Sequence, residues 1–387
     1  MRFVVLGSGL QGSAAAWDLA RSAGVDSVLM VDREASIVEE AAKALPPAPV
    51  KIETVARDLS DASALGELLD QADACFNALP YFMTLTVAEA CARRGVHYVD
   101  LGGNTDIVLQ ILELDSLAAE NGARLVPDCG LAPGLAATVA MAAIEGMDEV
   151  ENLRIRVGGL PADPEPPLDY ALFFSIHGLI NEYLGEAVVL SDGEIARVTT
   201  LNDTEIIDLP EPLGRCEACP TLGGTSTLPW SLKGRVRELN YKTVRYPGHF
   251  EKIRLLRDLG FFEDSPKKIG GAEVTPRQFS ADILTEHLDR GSALRDLVIF
   301  QVEAEGEIDG VLKRRRLRMI DHFDEKTGFS AMRRGTAFPA SLVLQFLARG
   351  DAPRLGAMRL EEAIAPGPYL AELAEHDLEI LETLEDL

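Results

Sequence analysis

Short, wholly apolar runs alternate with segments of helical spacing over the first 130 residues. The runs "RFVVL" and "SVLMV" lack the alternating polar positions of a half-exposed strand, which is typical of strands buried on both faces of a parallel sheet. Between them, small and apolar residues recur at helical spacing in "QGSAAAWDLARSA". Six such strands, the last in "ARLVPDCG", predict an N-terminal Rossmann-type α/β domain with a doubly wound parallel sheet, residues 1–130.

The pattern changes after residue 130, where strands, prolines and loops become more frequent. Strands are predicted at "NLRIRVGGLP", "ELNYKTVRYPG", "LVIFQVEAEGEIDG" and "VLKRRRLRMIDHF", and helices at "GHFEKIRLLRDLGFF" and "PRQFSADILTEHL". We therefore predict a second domain of α+β type, residues 131–330. Helical spacing returns in "AFPASLVLQFLARGD" and "YLAELAEHDLEILETL", so residues 331–387 are predicted as C-terminal helices that pack back on the Rossmann domain.

Composition narrows the possible partners and the compartment. The formal net charge of −25 repels phosphate backbones and anionic lipid, so neither nucleic acid nor a membrane is expected as a partner. We expect no signal peptide and no membrane span, and the odd number of five cysteines is typical of a reduced, cytoplasmic protein. Cys216 and Cys219 lack a second ligand pair at metal spacing, which predicts a chance pair in a loop and no metal site.

Three glycines, Gly7, Gly9 and Gly12, lie between the first predicted strand and the first predicted helix. This G-x-G-x-x-G spacing is specific only in such a strand–turn–helix context, which is present here. The first glycine permits a tight turn, the second lets backbone approach a pyrophosphate, and the third lets the helix pack closely. Leu10 and Gln11 then lie at the positive end of the helix, where a pyrophosphate would bind. The alternative is a tight turn in a Rossmann-shaped domain that binds no ligand.

Asp32 follows the second predicted strand, twenty residues after Gly12, which is the spacing of a carboxylate that binds the cofactor ribose. Such a carboxylate accepts hydrogen bonds from both ribose hydroxyls and repels a 2′-phosphate, which favours NAD over NADP. Arg33 argues against this preference for NAD, because an arginine there can bind a 2′-phosphate or stack on adenine. Asp58, near the end of the third strand, is a further candidate for cofactor binding.

The fourth and fifth predicted strands end in "NALP" and "DLGG". Ligands of such sheets bind outside the carboxyl ends of the strands, so these loops are expected to face the nicotinamide. Ordinary turn chemistry of Asn, Pro and Gly is the alternative. The predicted cofactor contacts are Asn77, Ala78, Leu79, Pro80, Asp100, Leu101 and Gly102.

These motifs together resemble the saccharopine dehydrogenase-like superfamily. The resemblance includes "PDCGLAPG", "VGGLP", "GGTSTL", "YKTVRYPGH" and "DHFDEKTGFSAMRRGTAFPASLVLQFLARG", and it extends over nearly the whole chain. Within the superfamily, "VGGLPADPEPPLDY" and "YKTVRYPGHFEKIRLL" look most like L-lysine 6-dehydrogenases. The resemblance implies that a nicotinamide cofactor takes hydride from the carbon bearing the ε-amine of L-lysine. The imine is then hydrolysed to ammonia and allysine, which cyclises to piperideine-6-carboxylate.

Candidates for substrate chemistry lie in "YKTVRYPGH". Tyr241, Thr243 and Arg245 occur at every second position of a predicted strand and therefore share one face. Arg245 could bind the substrate carboxylate in a bidentate manner, and the two hydroxyls could bind the substrate or its reacting amine. A solvated outer face of an edge strand is the alternative.

Two further positions, His249 and Asp169, allow two interpretations each. His249 could be a general base or could cap the next helix. Asp169 could pair with the substrate ammonium group or serve as an N-cap. Thr225 and Ser226, in the "GGTST" segment, are candidate substrate contacts, and the identity of the base stays open.

Three functions stay open from the sequence. The first is an NAD-dependent amino acid dehydrogenase acting on the ε-amine of L-lysine, and we expect it as a homodimer paired through the strand-rich domain. The second is another oxidoreductase of the superfamily, such as a saccharopine or polyamine-precursor reductase. The third is a non-catalytic NAD-binding homologue.

Overall fold

The first part of the chain forms the predicted alternation of strands and helices. The structure, a computed structural model, describes residues 1–387 apart from the side chain of Ser292. The strands are β1 (Arg2–Leu6), β2 (Ser27–Asp32), β3 (Ile52–Ala56), β4 (Ala74–Asn77), β5 (His97–Asp100) and β6 (Arg124–Val126). The helices are α1 (Leu10–Arg21), α2 (Ala35–Lys43), α3 (Ala62–Leu69), α4 (Thr84–Arg94), α5 (Thr105–Leu112) and α6 (Asp115–Asn121), with a 3-10 turn at Tyr81–Met83. The strands pair in parallel in the order β3-β2-β1-β4-β5-β6, which confirms the doubly wound Rossmann sheet.

The second domain begins with a helix and is built on a mixed sheet. Its helices are α7 (Leu135–Ala143), α8 (Ile176–Glu182), α9 (Leu228–Leu232), α10 (His249–Asp258) and α11 (Pro276–Leu288). Its strands are β7 (Glu149–Pro161), β8 (Glu186–Ser191), β9 (Glu194–Thr199), β10 (Glu205–Asp208), β11 (Arg215–Cys219), β12 (Val236–Arg245), β13 (Lys267–Ile269), β14 (Ala272–Val274), β15 (Asp296–Ile308) and β16 (Val311–His322). The order β10-β11-β12-β7-β15-β16 places β12 inside the sheet. Strand β8 pairs with β12 and β9 pairs with β8, while β13 and β14 form a separate hairpin. The α+β second domain is confirmed.

The C-terminal region returns to both domains, whereas helices on the Rossmann domain alone were predicted. Its elements are α12 (Ala331–Arg349), β17 (Gly356–Ala357), α13 (Leu360–Ala363), α14 (Pro366–Glu375) and β18 (Leu381–Asp386). Strand β17 extends the Rossmann sheet beside β6, but β18 pairs with β16 of the second sheet. The prediction of one helix through Leu384 was therefore wrong, because the segment after α14 pairs as a strand with a distant part of the chain.

One face of the second sheet packs against helices α7 and α12, and this inner face forms a continuous core with the Rossmann domain. Val157, Phe300 and Leu317 are buried there. On the Rossmann side, Trp17 of α1 contacts Phe338 of α12 with ring centroids 5.9 Å apart. Such aromatic pairs add about 0.5–1.5 kcal/mol beyond their burial. The shared core therefore joins the Rossmann sheet to the second sheet.

The cysteine pair is placed differently from the prediction. Cys216 and Cys219 lie on strand β11, not in a loop, and both are buried as free thiols. Burial raises the pKa of each thiol, which keeps it protonated and unreactive. In the part of the chain that the structure describes, no helix combines the length and apolar character that crossing a membrane requires.

Candidate active site

The glycine loop joins β1 to α1, and each of its glycines has a different steric role. Gly7 has φ +94°, a conformation that favours glycine, and its N–H donates to the Val31 carbonyl at 2.8 Å. A Cβ on Gly12 would lie 1.9 Å from the Gly7 carbonyl oxygen, so a side chain there would push the helix off the loop. A Cβ on Gly9 would meet no described atom within 4 Å. Gly9 therefore leaves open the space that a pyrophosphate needs.

Helix α1 presents an uncapped N-terminus to that space. Its N-cap residue, Gly9, makes no side-chain hydrogen bond, and its first turn holds no acidic residue. Leu10 is exposed, and the Oε1 atom of Gln11 is buried without a hydrogen-bond partner among the described atoms. Free N–H groups and the helix dipole favour an anion at this position. The loop, the helix end and the orphaned oxygen fit a bound dinucleotide.

Asp32, at the end of β2, is held beside the glycine loop. The backbone N–H and the hydroxyl of Ser8 donate to its Oδ2 at 2.8 and 2.7 Å, and the Arg33 N–H donates to its Oδ1 at 2.7 Å. Burial opposes ionisation, but these hydrogen bonds outweigh it and lower the pKa of Asp32. The carboxylate is therefore charged at neutral pH, in the position from which a ribose is bound.

Arg33 and Asp58 lie at the edge of this region. The Arg33 side chain is 74% exposed and pairs with Glu34 at 3.7 Å. Asp58 is exposed and accepts a hydrogen bond from the Ser60 hydroxyl at 2.7 Å, which lowers the pKa of Asp58. Neither side chain is fixed toward the glycine loop, so their predicted contacts with a cofactor stay predictions.

The side chains of Asn77 and Asp100, which end β4 and β5, are buried in one network. Asn77 Nδ2 donates to the Tyr98 hydroxyl at 3.1 Å, and that hydroxyl donates to Asp100 Oδ2 at 2.8 Å. The Gly102 N–H donates to Asp100 Oδ1 at 2.7 Å. The two predicted side chains therefore fix the shape of the strand-end loops through hydrogen bonds within the protein.

The neighbouring residues of these strand ends pack around the loop. A Cβ on Gly7 would lie 3.0 Å from the Ala78 carbonyl oxygen, so Ala78 forms a wall of the glycine loop. Leu79 and Leu101 are half-buried, and Pro80 is exposed. This wall contributes apolar surface and backbone rather than charge.

Asp128 is a residue that the prediction missed. It follows β6 with φ 58° and is buried, and its Oδ2 accepts a hydrogen bond from the Ser226 hydroxyl at 2.5 Å. Its Oδ1 is buried without a hydrogen-bond partner among the described atoms and would lie 2.1 Å from a Cβ on Gly102. Burial, with the charge of Asp100, raises the pKa of Asp128 to about 7. Its place at the carboxyl end of a parallel strand was the signal that could have identified it.

In the second domain, β12 places Tyr241, Thr243 and Arg245 on the buried inner face. All three are at most 8% exposed, and β12 lies between β11 and β7, so the solvated edge-strand alternative was wrong. The Thr243 hydroxyl lies 2.6 Å from that of Thr221 and 3.3 Å from that of Tyr241. A Cβ on Gly224 would lie 2.4 Å from the Tyr241 ring, so this ring packs on the loop that contains Ser226.

Arg245 is the centre of a buried polar cluster. Its guanidinium lies over the ring of Tyr170, with 4.6 Å from Cζ to the ring centroid, and its Nη2 is 3.5 Å from Glu182 Oε2. Three polar atoms of this cluster are buried without a hydrogen-bond partner among the described atoms: Arg245 Nε, Tyr170 Oη and Glu182 Oε2. Buried polar groups are normally paired, so such a group of orphans points to a bound polar ligand or ordered water. Neither Tyr170 nor Glu182 was predicted as a site residue.

Glu182 is the ionisable member of this cluster that titrates near neutrality. Burial raises the pKa of Glu182 to about 7, although the positive charge of Arg245 opposes the rise. Burial also raises the pKa of Tyr170, whose phenol stays protonated. The cluster therefore combines a permanent cation, a neutral donor and a carboxyl group that can ionise.

Neither His249 nor Asp169 caps a helix. His249 is the first residue of α10, and its Nδ1 lies 3.0 Å from the Leu168 carbonyl, which can only accept. Nδ1 therefore carries the proton, and Nε2 accepts from the Tyr183 hydroxyl at 2.9 Å. Burial, with the charge of Arg245, lowers the pKa of His249 to about 3, so this neutral, fully engaged ring is a poor base.

Asp169 lies in a loop with φ 50°, outside any helix, so the N-cap prediction was wrong. Its Oδ2 lies 3.4 Å from Lys252 Nζ, and both side chains are partly exposed. Glu182, rather than Asp169, is the carboxyl group that pairs with Arg245.

Two series of residue contacts link the Arg245 cluster to the Rossmann domain. The Tyr170 ring meets that of Phe173 edge to face at 5.2 Å, and a Cβ on Gly159 would touch both Phe173 and Met332. The next residue, Arg333, donates to the Leu10 carbonyl at 2.6 Å, beside the glycine loop. The second series of contacts leads from the Tyr241 ring through the loop that contains Gly224 to the hydrogen bond between Ser226 and Asp128.

The site combines a cofactor-binding loop with side chains that can bind a substrate and exchange a proton. Among the residues whose side chains the structure describes, no group of three or more His, Cys, Asp or Glu residues is arranged to hold a metal ion. What is present is a dinucleotide cradle, a carboxyl group with a pKa near neutrality and a buried guanidinium. These are the components needed to bind a carboxylate substrate and move a proton beside a dinucleotide.

Comparison with known proteins agrees with this description. Residues 3–126 match the saccharopine dehydrogenase NADP binding domain, and residues 130–378 match the saccharopine dehydrogenase C-terminal domain. A saccharopine dehydrogenase [NADP(+), L-glutamate-forming] of Pyricularia oryzae is 25% identical over 236 residues, 58% of this chain and 51% of that protein. An alpha-aminoadipic semialdehyde synthase of Mus musculus is 28% identical over 204 residues, 51% of this chain and 21% of that protein. The matches to these curated relatives span about half of the relatives' length or less.

The fold is that of a solved relative. Apo saccharopine dehydrogenase (L-Glu forming) from Saccharomyces cerevisiae superposes with a TM-score of 0.82 at 20% identity, covering 99% of both chains. The two matched domains together cover most of the chain. The chain belongs to the saccharopine dehydrogenase family.

Proposed function

We propose that the chain is an NAD-dependent L-lysine 6-dehydrogenase, which oxidises the ε-amine of L-lysine to allysine and releases ammonia. The observation that supports this most is the buried Arg245 cluster, in which three buried polar atoms make no hydrogen bond. A guanidinium beside a carboxyl group is complementary to the carboxylate and ammonium of an α-amino acid. The cofactor preference rests on Asp32, whose charged carboxylate would repel a 2′-phosphate.

Each part of the site has a role in this reaction. Arg245 binds the α-carboxylate through its unpartnered Nε, and the Tyr170 hydroxyl donates a second hydrogen bond. Glu182, ionised, binds the α-ammonium group. Tyr241 and Thr243 lie four and two positions before Arg245 on the same face, so they are placed along the side chain of a bound lysine.

Asp128 is the group that handles protons. The ε-amine must be neutral before its carbon can lose hydride, and Asp128, with a pKa near 7, accepts the proton. The bound nicotinamide supplies the hydride acceptor. The resulting imine adds water and releases ammonia, so that lysine, NAD⁺ and water give allysine, ammonium, NADH and one proton.

A second candidate is a saccharopine-type reductase that uses NADP. It is supported by the names of the relatives, which are NADP-dependent saccharopine dehydrogenases, and by the NADP binding domain matched by residues 3–126. Saccharopine carries two amino acid ends and would need a second cationic anchor besides Arg245. A third candidate is a homologue that binds the dinucleotide without turnover.

One set of assays separates these candidates. The purified protein is incubated with NAD or NADP and, in turn, with L-lysine, L-ornithine or saccharopine, while absorbance of the reduced nicotinamide is followed. Reduction of NAD with lysine alone is the expected result. Turnover restricted to saccharopine or to NADP contradicts the proposal and favours the second candidate. Dinucleotide binding without turnover on any substrate favours the third.

A further inference from the structure

The outer face of the second sheet, opposite the Arg245 cluster, has three polar rows that cross β7, β15 and β16. Residues directly opposed in antiparallel strands share a face and interact across it. The strand register gives these rows as Asn152–Glu305–Arg314, Arg154–Glu303–Arg316 and Arg156–Gln301–Arg318. In the Glu303 and Gln301 rows an arginine lies on each side of the middle residue. In the Glu305 row an arginine lies on one side only.

Two of the three middle positions are glutamates, and each neutralises its neighbours. Glu305 lies 2.7 Å from Arg314 and 3.0 Å from Arg154, and Glu303 lies 2.7 Å from Arg316. The third middle position is Gln301, which has nearly the same shape as glutamate but no charge. A negative charge is thus missing from the Arg156–Gln301–Arg318 row, one of the two rows that hold two arginines.

The missing charge leaves one arginine without a counter-ion. Arg318 Nε donates to Gln301 Oε1 at 2.7 Å, and no carboxylate pairs with Arg318 among the described side chains. Arg156, at the other end of the row, is paired with Glu205 at 2.5 Å. Burial, with repulsion from Arg316, lowers the pKa of Arg318, although the negative charge of Glu303 opposes this.

A cavity of about 240 Å³ lies against this row. Four arginines line it, namely Arg154, Arg156, Arg316 and Arg318. Its other lining residues are Gln301, Glu303, Glu205, Ile207, Asp208 and Leu209. Glu303 and Glu205 are already engaged by arginines, and Asp208 is exposed and faces Arg215 at 3.5 Å. Positive charge at Arg318 is therefore in excess where there is room for a small ligand.

We propose that this cavity is a binding site for a small oxyanion, a phosphate or carboxylate group, held by the free guanidinium edge of Arg318 beside Arg316. Planar guanidinium groups bind such anions through paired, charge-assisted hydrogen bonds. The site lies on the face of the sheet opposite to Tyr241 and Thr243. It is therefore separate from the proposed dehydrogenase site and does not depend on that function.

The test uses two variants of the full chain that act in opposite ways on the same row. Arg318→Gln removes the guanidinium, and Gln301→Glu places a carboxylate beside Arg318 in the same row. The matched control is Gln71→Glu, the same change at an exposed residue of the Rossmann domain. Inorganic phosphate and, separately, malonate are titrated calorimetrically at constant ionic strength, with and without NAD, because phosphate could also bind at the glycine loop.

We expect phosphate or malonate to bind the wild type, and both site variants to weaken that binding by about tenfold or more. The control is expected to bind within about twofold of the wild type. Gln301→Glu is also expected to raise the melting temperature, because it pairs Arg318. Equal affinity in all variants, or no binding to the wild type at millimolar anion, overturns the proposal. If neither anion binds and Gln301→Glu dissociates an oligomer in sedimentation, a second copy supplies the counter-charge and the proposal is wrong.

Discussion

The two halves of the candidate active site are built in opposite ways. At the glycine loop the essential feature is the absence of side chains, since a Cβ on Gly12 would collide with Gly7 and one on Gly9 would occupy open space. Around Arg245 the essential feature is an excess of buried polar atoms, several of them unpartnered. The first half is therefore defined by neighbouring residues in the sequence, whereas the second exists only when distant segments pack together. The experiments below test this contrast, beginning with the largest expected effect.

Replacing Gly12 should abolish cofactor binding at the glycine loop. In Gly12→Ala the new Cβ would lie 1.9 Å from the Gly7 carbonyl oxygen, and overpacking of this kind costs about 1–3 kcal/mol. We expect a lower free energy of unfolding in urea and no detectable NADH binding by fluorescence. Gly9→Ala is the matched control, because its Cβ meets nothing in the free protein. It should keep its stability within about 1 kcal/mol yet bind NADH about 100-fold more weakly. Unchanged NADH binding by Gly9→Ala would contradict the assigned role of the loop.

Asp128→Asn should give the next largest effect, on kcat. Asparagine tolerates the positive φ of this position, so the backbone is preserved while the proton acceptor is lost. We expect kcat to fall by about 1000-fold. Because the pKa of Asp128 is raised to about 7 and the ionised form accepts the proton, the wild-type rate should rise with pH and level off above about pH 7.

Ser226→Ala sharpens the same test. It keeps the carboxyl group but removes the hydroxyl that favours the ionised form, so the rising limb should move to higher pH with the plateau retained. A pH profile that is identical in wild type, Asp128→Asn and Ser226→Ala would exclude Asp128 as the base.

Arg245→Lys should affect substrate binding rather than cofactor binding. Lysine keeps the charge but loses the planar fork and the stacking on Tyr170, so the KM for the amino acid should rise by about 100-fold. The dissociation constant for NADH should stay within about twofold. An unchanged KM, or an equal loss of NADH affinity, would show that the cluster does not bind the substrate carboxylate.

Asp32→Ser should change cofactor preference without loss of the fold. It removes the charge that opposes a 2′-phosphate and leaves a small hydroxyl near Ser8. We expect the ratio of kcat/KM for NAD over NADP to fall by about tenfold or more. A ratio that does not move would mean that Asp32 does not bind the ribose.

Tyr183→Phe should have the smallest effect. It removes the hydroxyl that donates to His249 Nε2, a buried hydrogen bond, and should lower the free energy of unfolding by about 1 kcal/mol. Because His249 is neutral and structural in this site, kcat should change by less than about threefold and its pH profile should not move. A large loss of kcat would contradict this and indicate that His249 accepts a proton in the reaction.

The sequence predicted the Rossmann domain well, and the reasons are local. The apolar strand runs and the glycine spacing each involve residues within one strand–turn–helix unit. It also placed Tyr241, Thr243 and Arg245 on one face of one strand, since alternation is a property of the strand itself. The errors occurred where pairing is non-local, as in the C-terminal strand β18 and in β11 with its two cysteines.

What the sequence by itself determined is the dinucleotide cradle, because Gly7, Gly12 and Asp32 meet through one turn and one pair of adjacent strands. Only the tertiary structure decided which side chains complete the site. Ser226 bonds to Asp128 across 98 positions of the chain, and Glu182 reaches Arg245 from a different helix. Only the position of β12 inside the sheet made its polar face a buried one. Burial is set by what packs on a strand, and it is burial that raises these pKa values and leaves polar atoms in need of a ligand.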